Sequence, residues 1–132
     1  MAAEETYPED LRYHPEHDWA RIDDSRTEAT FGITWYAQDS LGEVVFFDPP
    51  EIGAQTTKDE PYTEVESVKA VSDVIAPLTG EVIEVNEAAG TDPEAINNDP
   101  YGDGWMVKVK ITEPSEVDTL LDVAAYKDLI AD

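Results

Sequence analysis

The sequence contains no cysteine. Disulfide staples, zinc–thiolate sites and cysteine nucleophiles are therefore excluded, and any thiol chemistry has to come from an attached group. Bases are scarce: eight Lys and Arg stand against 31 Asp and Glu, a formal charge of −23. Phosphate backbones are held by clustered Lys and Arg, so nucleic acid is not an expected partner, and an anionic membrane surface fails for the same reason. No apolar run approaches the roughly 20 residues of a membrane-spanning helix. The opening MAAEETYPED is acidic and unlike a signal or transit peptide, so the expected compartment is cytoplasmic. Gly-rich phosphate loops are missing, and Ser40, Ser67 and Ser72 lack the surroundings of a nucleophile elbow.

A strong charge excess can signal disorder. Here 41% of the residues are apolar and several stretches alternate like strands, which argues for a folded domain with an acidic surface. Proteins of salt-loving cytoplasms have such surfaces, and 1 M salt shortens the screening length to about 3 Å. At 132 residues a single domain is expected over 1–132, with 1–9 as a flexible N-terminus.

Turn and strand signals dominate the chain. In LRYHPEHDWAR, Leu11, Tyr13, Trp19 and Ile22 are apolar anchors, and Pro15 places a turn between short strands. Thr27–Thr34 alternates as a strand. TWYAQDSL is the first helical candidate, with Thr34 as cap and Gly42 just past its end. Glu43–Phe47 reads as a buried strand closed by Pro49 and Pro50. Asp92–Asn97 reads as a short helix capped by Asp92, with Pro93 at its first position. In WMVKVKIT, Trp105, Val107, Val109 and Ile111 face one way and Lys108 and Lys110 the other. Two helical segments end the chain: Glu116–Leu121 with Ser115 as cap, then Asp122–Ala131 with Val123, Tyr126, Leu129 and Ile130 at helical spacing. GEVVFFDPPEIG and GEVIEVNEAAG are weakly alike, which fits a sandwich of two similar half-sheets.

The chain is organised around Tyr62–Gly80, YTEVESVKAVSDVIAPLTG. Its valine-rich, turn-bounded halves predict a β-hairpin with Val68 and Lys69 at the tip. Lys69 is the only Lys or Arg between Lys58 and Lys108, and Glu64, Glu66 and Asp73 flank it. A lysine at a hairpin tip is by default a solvated residue, so its neighbours decide its meaning. The other constellation is YHPEHDW, where His14 and His17 stand among Asp10, Glu16 and Asp18. Pro15 makes this a turn rather than a rigid ligand platform, so no metal is expected there.

E-S-V-K-A-V-S-D-V followed by A-P-L-T-G-E-V resembles the lipoyl attachment site of the glycine cleavage system H protein family. Ile33, Thr34, Ala37, Gln38, Leu41, Gly42, Glu43 and Val44 match a second family segment, and Asn98–Trp105 a third. His17-Asp18-Trp19 is similar to the family's H-E-W, with a carboxyl one methylene shorter. Trp35 and Tyr36 stand where relatives often have Asp or Glu and then His. Together the matches run from about Leu11 to Ile130.

The resemblance implies a mostly β, lipoyl-domain-like barrel-sandwich hybrid of two half-sheets with short added helices, including a C-terminal one. It implies lipoic acid in amide linkage on Lys69, presented by Glu66, Ser67, Val68, Ala70 and Asp73. It further implies a cleft for the aminomethyl-loaded arm guarded by Asp18 and Asp73, with Glu16 as a third acid. The implied role is a carrier, not an enzyme. The expected partners are the glycine decarboxylase (P protein), the tetrahydrofolate-dependent aminomethyltransferase (T protein), the FAD-containing dihydrolipoamide dehydrogenase (L protein) and a lipoylation enzyme. A monomer is expected. An H-like relay that passes lipoate to other complexes, and a non-lipoylated acidic interaction module, are the alternatives.

Overall fold

The computed structural model describes residues 4–131. Among these residues, nine strands form two antiparallel sheets. The larger has the order β1-β2-β3-β9-β8-β5, built from Arg12–His14, Asp18–Ile22, Glu28–Ile33, Val107–Ile111, Gly80–Val85 and Gln55–Thr56. The smaller has the order β4-β6-β7, built from Val44–Phe47, Pro61–Ser67 and Val71–Ile75. Short helices are added, α1 Trp35–Leu41, α2 Glu87–Thr91, α3 Glu94–Asn98 and the C-terminal α4 Val123–Ile130, with a 3-10 turn at Pro114–Thr119. This is the expected mostly β sandwich. The two G-E-V segments fall in opposite sheets, one leading into β4 and the other forming β8.

The inward residues of both sheets meet in one core, with Phe31, Val82 and Val109 on one side and Phe47, Val65 and Val74 on the other. Each such side chain contributes about 1.5–3 kcal/mol by leaving water. A second cluster lies outside the large sheet. It gathers Tyr7, Leu11, Tyr13, Trp19, Tyr101 and Tyr126. Tyr126 of α4 stacks on Tyr13 at 4.7 Å and meets Tyr7 edge-on at 5.6 Å. The N-terminal segment is tied in here as well: the Tyr101 hydroxyl donates to Thr6 O and the Tyr13 hydroxyl to Pro8 O. Residues 1–3 of the expected flexible stretch lie outside the described residues.

Several local expectations are corrected. Val45 and Phe46 of β4 are exposed rather than buried, because a bulge between Val44 and Phe46 turns two successive side chains outward. Asp92 does not cap α3. Its N–H closes α2 on Ala88 O, so α3 starts from Pro93 without a side-chain cap. The helix α2 itself is masked in the sequence by Gly90, and Asn86 caps it through Ala89 N. Ser115 lies inside the 3-10 turn, which begins at Pro114 after Glu113. In β9 the strand starts at Val107, and both Met106 and Val107 are buried. Leu129 is half exposed, since only the Tyr126 side of α4 meets the body. The α1 caps are as expected: Thr34 Oγ1 accepts from Ala37 N, and Gly42 N–H donates to Gln38 O with φ +80°. Among the described residues no helix is long and apolar enough to cross a membrane.

Candidate functional site

The hairpin β6–β7 presents Val68, Lys69 and Ala70 at its tip. Its geometry comes from Ser67. The Ser67 N–H donates to Ala70 O at 2.8 Å, and Ser67 Oγ accepts from Ala70 N at 3.1 Å and Lys69 N at 3.3 Å. Val68 N–H is bonded to Glu43 O, which pins the tip to the approach of β4. The backbone is thus held while the Lys69 side chain stays exposed. Glu66 shares the outer face of the small sheet with Phe46 and Val71, its cross-strand partners. Val68 and Val71 are also exposed, so apolar surface surrounds the amine.

Gly42 lies directly beneath the lysine stem. A Cβ there would stand 3.5 Å from Lys69 Cε, and the φ of +80° would strain any other residue. Asn97 locks this corner: Nδ2 donates to Gly42 O and to Gln38 Oε1, and Oδ1 accepts from Val44 N. A hollow of about 350 Å³ lies on that side between α1 and α3, edged by Trp35, Glu43 and Glu94. The Asn97 amide within it is already bonded on both sides.

A smaller cavity of about 190 Å³ uses a different face of α1. The β1–β2 turn contributes Glu16 and His17, and β2 its first residue Asp18; α1 contributes Ala37, Ser40 and Leu41; the lysine hairpin contributes Val65, Ser72 and Asp73. All three acids singled out from the sequence line it, at different depths. Asp18 is 2% exposed, whereas Glu16 and Asp73 stand at the exposed rim. Asp18 Oδ2 is buried with no hydrogen-bond partner. Burial first, and the Glu16 charge second, push its carboxyl well above the usual aspartate range. Tyr62 is pushed up as well, by burial and then by Asp18. Among the described residues no Lys or Arg lines this cavity. A buried carboxyl oxygen without a partner is costly to ionise, and a hydrogen-bond donor or a cation entering this space would relieve that cost.

The histidines of the same turn point to different places. His14 Nε2 is 2.6 Å from Asp59 Oδ1, and its Nδ1 accepts from Glu16 N. His17 takes up φ +75° and reaches Tyr126 OH through Nδ1 at 2.9 Å. Its pKa is lowered mainly by burial, against the Glu16 charge. Among the described residues no group of three or more His, Asp or Glu side chains could hold a metal ion. Sequence reasoning missed the part of His17, Ser40 and Tyr126 in this site. His17 carried a signal in H-x-W, but Tyr126 lies 109 residues away from it and carried none.

The family model for the glycine cleavage H-protein matches residues 11–132. A glycine cleavage system H protein of Halorhodospira halophila is 52% identical over 125 residues, 95% of each chain. A probable H protein of Haloarcula marismortui is 48% identical over 123 residues, covering 93% of this chain and 95% of that one. The crystal structure of an H protein from Mycobacterium marinum superposes with a TM-score of 0.82 at 40% identity, covering 92% of this chain and 97% of that one.

Proposed function

The chain belongs to the glycine cleavage H-protein family, and from that premise we propose that it carries lipoate in amide linkage on Lys69 and shelters the loaded arm in the Asp18 cavity. Proteins of this family are lipoyl carriers that work with the other components of the glycine cleavage system and are not catalysts themselves. When bound, lipoate supplies the redox-active disulfide and the long arm on which the aminomethyl group of glycine travels. The residues fit such a group. The hairpin offers one exposed amine on a fixed backbone, and the cavity beside it offers a buried carboxyl that lacks a counter-charge. Amide formation at Nζ removes the hairpin's lysine charge, so the arm enters narrow apolar sites at lower cost.

The cavity does three things for a cargo amine. Asp18 accepts a hydrogen bond or takes the ammonium as its counter-ion at the cavity floor. Glu16 and Asp73 add negative potential at the rim. Val65, Leu41 and Ile33 exclude water, which strengthens these interactions. Each charge-assisted hydrogen bond contributes about 1.5–3 kcal/mol. The glycine decarboxylase, the aminomethyltransferase and the dihydrolipoamide dehydrogenase are the partners that the arm would visit, in the cytoplasm.

The observation that carries this reading is the unpartnered Asp18 Oδ2 in a cavity walled by the lysine hairpin itself. Lys69→Arg tests it. The variant should fold normally, show no lipoyl mass after expression with a lipoylation enzyme, and lose all glycine–bicarbonate exchange, because a guanidinium is not acylated under these conditions. Lipoyl mass that persists in the variant, or that maps to Lys58, would refute the assignment.

A further inference from the structure

The C-terminal helix is left without a task by the carrier role, yet one of its side chains bonds two of the elements that wall the cavity. The Tyr126 hydroxyl is 2.9 Å from His17 Nδ1 and 2.8 Å from Thr34 Oγ1. His17 belongs to the turn that carries Glu16 and Asp18, one wall of the cavity. Thr34 caps α1, which supplies Ala37, Ser40 and Leu41 to another wall. The two walls are also joined by Thr34 N–H donating to His17 O at 3.1 Å. A single hydroxyl from the far end of the chain therefore bonds both sides of the space that holds Asp18.

The protons of this chain run one way. Thr34 Oγ1 is fully buried and accepts from Ala37 N, so its own proton needs an acceptor, and Tyr126 O is the one at hand. Tyr126 then donates to His17 Nδ1, which leaves the imidazole proton on Nε2. The reverse direction would strand the Thr34 hydroxyl proton in a dry site. His17 is further held by Tyr36, whose ring lies 4.6 Å from its own, and by the left-handed backbone at φ +75°. That conformation costs energy for a residue with a Cβ and persists only where the surroundings impose it.

We propose that Tyr126 is a positioning residue for the cavity: its hydroxyl fixes His17 as the Nε2–H tautomer and clamps the Glu16–Asp18 turn against α1. Through that clamp the C-terminal helix keeps the Asp18 carboxyl dry and aimed at the arm. The titratable groups around Asp18 are Glu16 and His17 on its own turn, Tyr62 on β6, Asp73 on β7 and Tyr126 on α4. None of these is a cation at neutral pH, so water let in by a loosened turn is what would relieve the carboxyl. The proposal rests on the arm-sheltering reading above for its functional consequence, but not for its structural content.

The test uses Tyr126→Phe, which keeps the ring stacked on Tyr13 and removes only the hydroxyl. Tyr13→Phe is the control, since it deletes a hydroxyl of the same aromatic cluster that, among the described residues, bonds Pro8 O alone. In the unmodified wild-type protein, nitrogen-15 NMR should report His17 as the Nε2–H tautomer. In Tyr126→Phe the signal should become a mixture of tautomers, and the Asp18 carboxyl should titrate closer to an ordinary aspartate. Tyr13→Phe should leave both signals as in the wild type. After lipoylation and loading, ammonia release without the transferase should quicken up to about tenfold in Tyr126→Phe, the factor one lost hydrogen bond can produce. Unchanged His17 and Asp18 signals in Tyr126→Phe would overturn the proposal, as would equal changes in Tyr13→Phe. If the signals move as stated but wild-type protein releases ammonia as fast as a free aminomethylated thiol, the positioning role stands and the sheltering reading falls.

Discussion

Removing the charge of Asp18 should make the unmodified protein more stable at neutral pH while spoiling its cavity. Asp18 is 2% exposed, one carboxylate oxygen has no partner, and among the described residues no Lys or Arg lines the space. Its folded-state pKa is raised by burial and by Glu16, so the native state binds a proton more tightly than the unfolded chain does. As pH rises above the ordinary aspartate value, the unfolded state releases that proton first, and stability falls until the folded-state carboxyl has also ionised. An unsatisfied buried polar group costs about 1–3 kcal/mol, and more when charged. Asparagine in its place keeps the shape and still buries an amide, so the net gain for Asp18→Asn at pH 8 is set at about 1–2 kcal/mol. For a domain of this size that is a rise of roughly 3–8 °C in melting temperature. The gain should shrink towards zero below about pH 4, where both states of the wild type are protonated. His17, whose pKa is lowered by burial, contributes a slope of opposite sign, but it is present in both proteins and cancels in the difference. The assay is thermal unfolding of unmodified wild type and Asp18→Asn from about pH 3.5 to 8 at constant molar potassium chloride. Parallel curves, or a variant that is less stable at the alkaline end, would refute the account of Asp18 as an uncompensated buried acid.

Two further outcomes follow from other parts of the molecule. With a formal charge of −23, self-repulsion opposes the compact state, so the melting temperature should climb from low salt to molar potassium chloride, and a flat or falling trend would remove that argument. Gly32→Ala should cost about 1–3 kcal/mol or more by chemical denaturation, since its Cβ would stand 2.5 Å from Trp19 Cζ2. Trp19 is fully buried and its indole N–H is bonded to Pro100 O, so the ring has nowhere to move; an unchanged midpoint would show that it does.

The exposed apolar collar of Phe46, Val68 and Val71 shows where sequence pattern and structure part. V-V-F-F reads as a buried strand because four apolar residues in a row satisfy both faces of a sheet. Only the pairing of β4 with β6 contains the bulge that turns Val45 and Phe46 to solvent. Asp92 fails as a cap for a comparable reason. It suits the start of α3, but the backbone before it is already committed to α2, a helix that Gly90 concealed.

The alternation around E-S-V-K-A was enough to set the hairpin and its exposed lysine, because a strand's period and a turn's composition are local properties of the chain. The caps of α1 were legible for the same reason: Thr34 and Gly42 act within one turn of backbone. The acidic surface was likewise a matter of composition. That Asp18, among the described acids, is the one left dry and unpartnered was decided by packing. Desolvation is a sum over neighbours from the β1–β2 turn, α1 and the β6–β7 hairpin, and no pattern near Asp18 encodes them. Tyr126 is the extreme case. Its place in a helical stripe predicted burial correctly, but its hydroxyl reaches His17 across 109 residues of chain, and only the docking of α4 on β1 creates that bond.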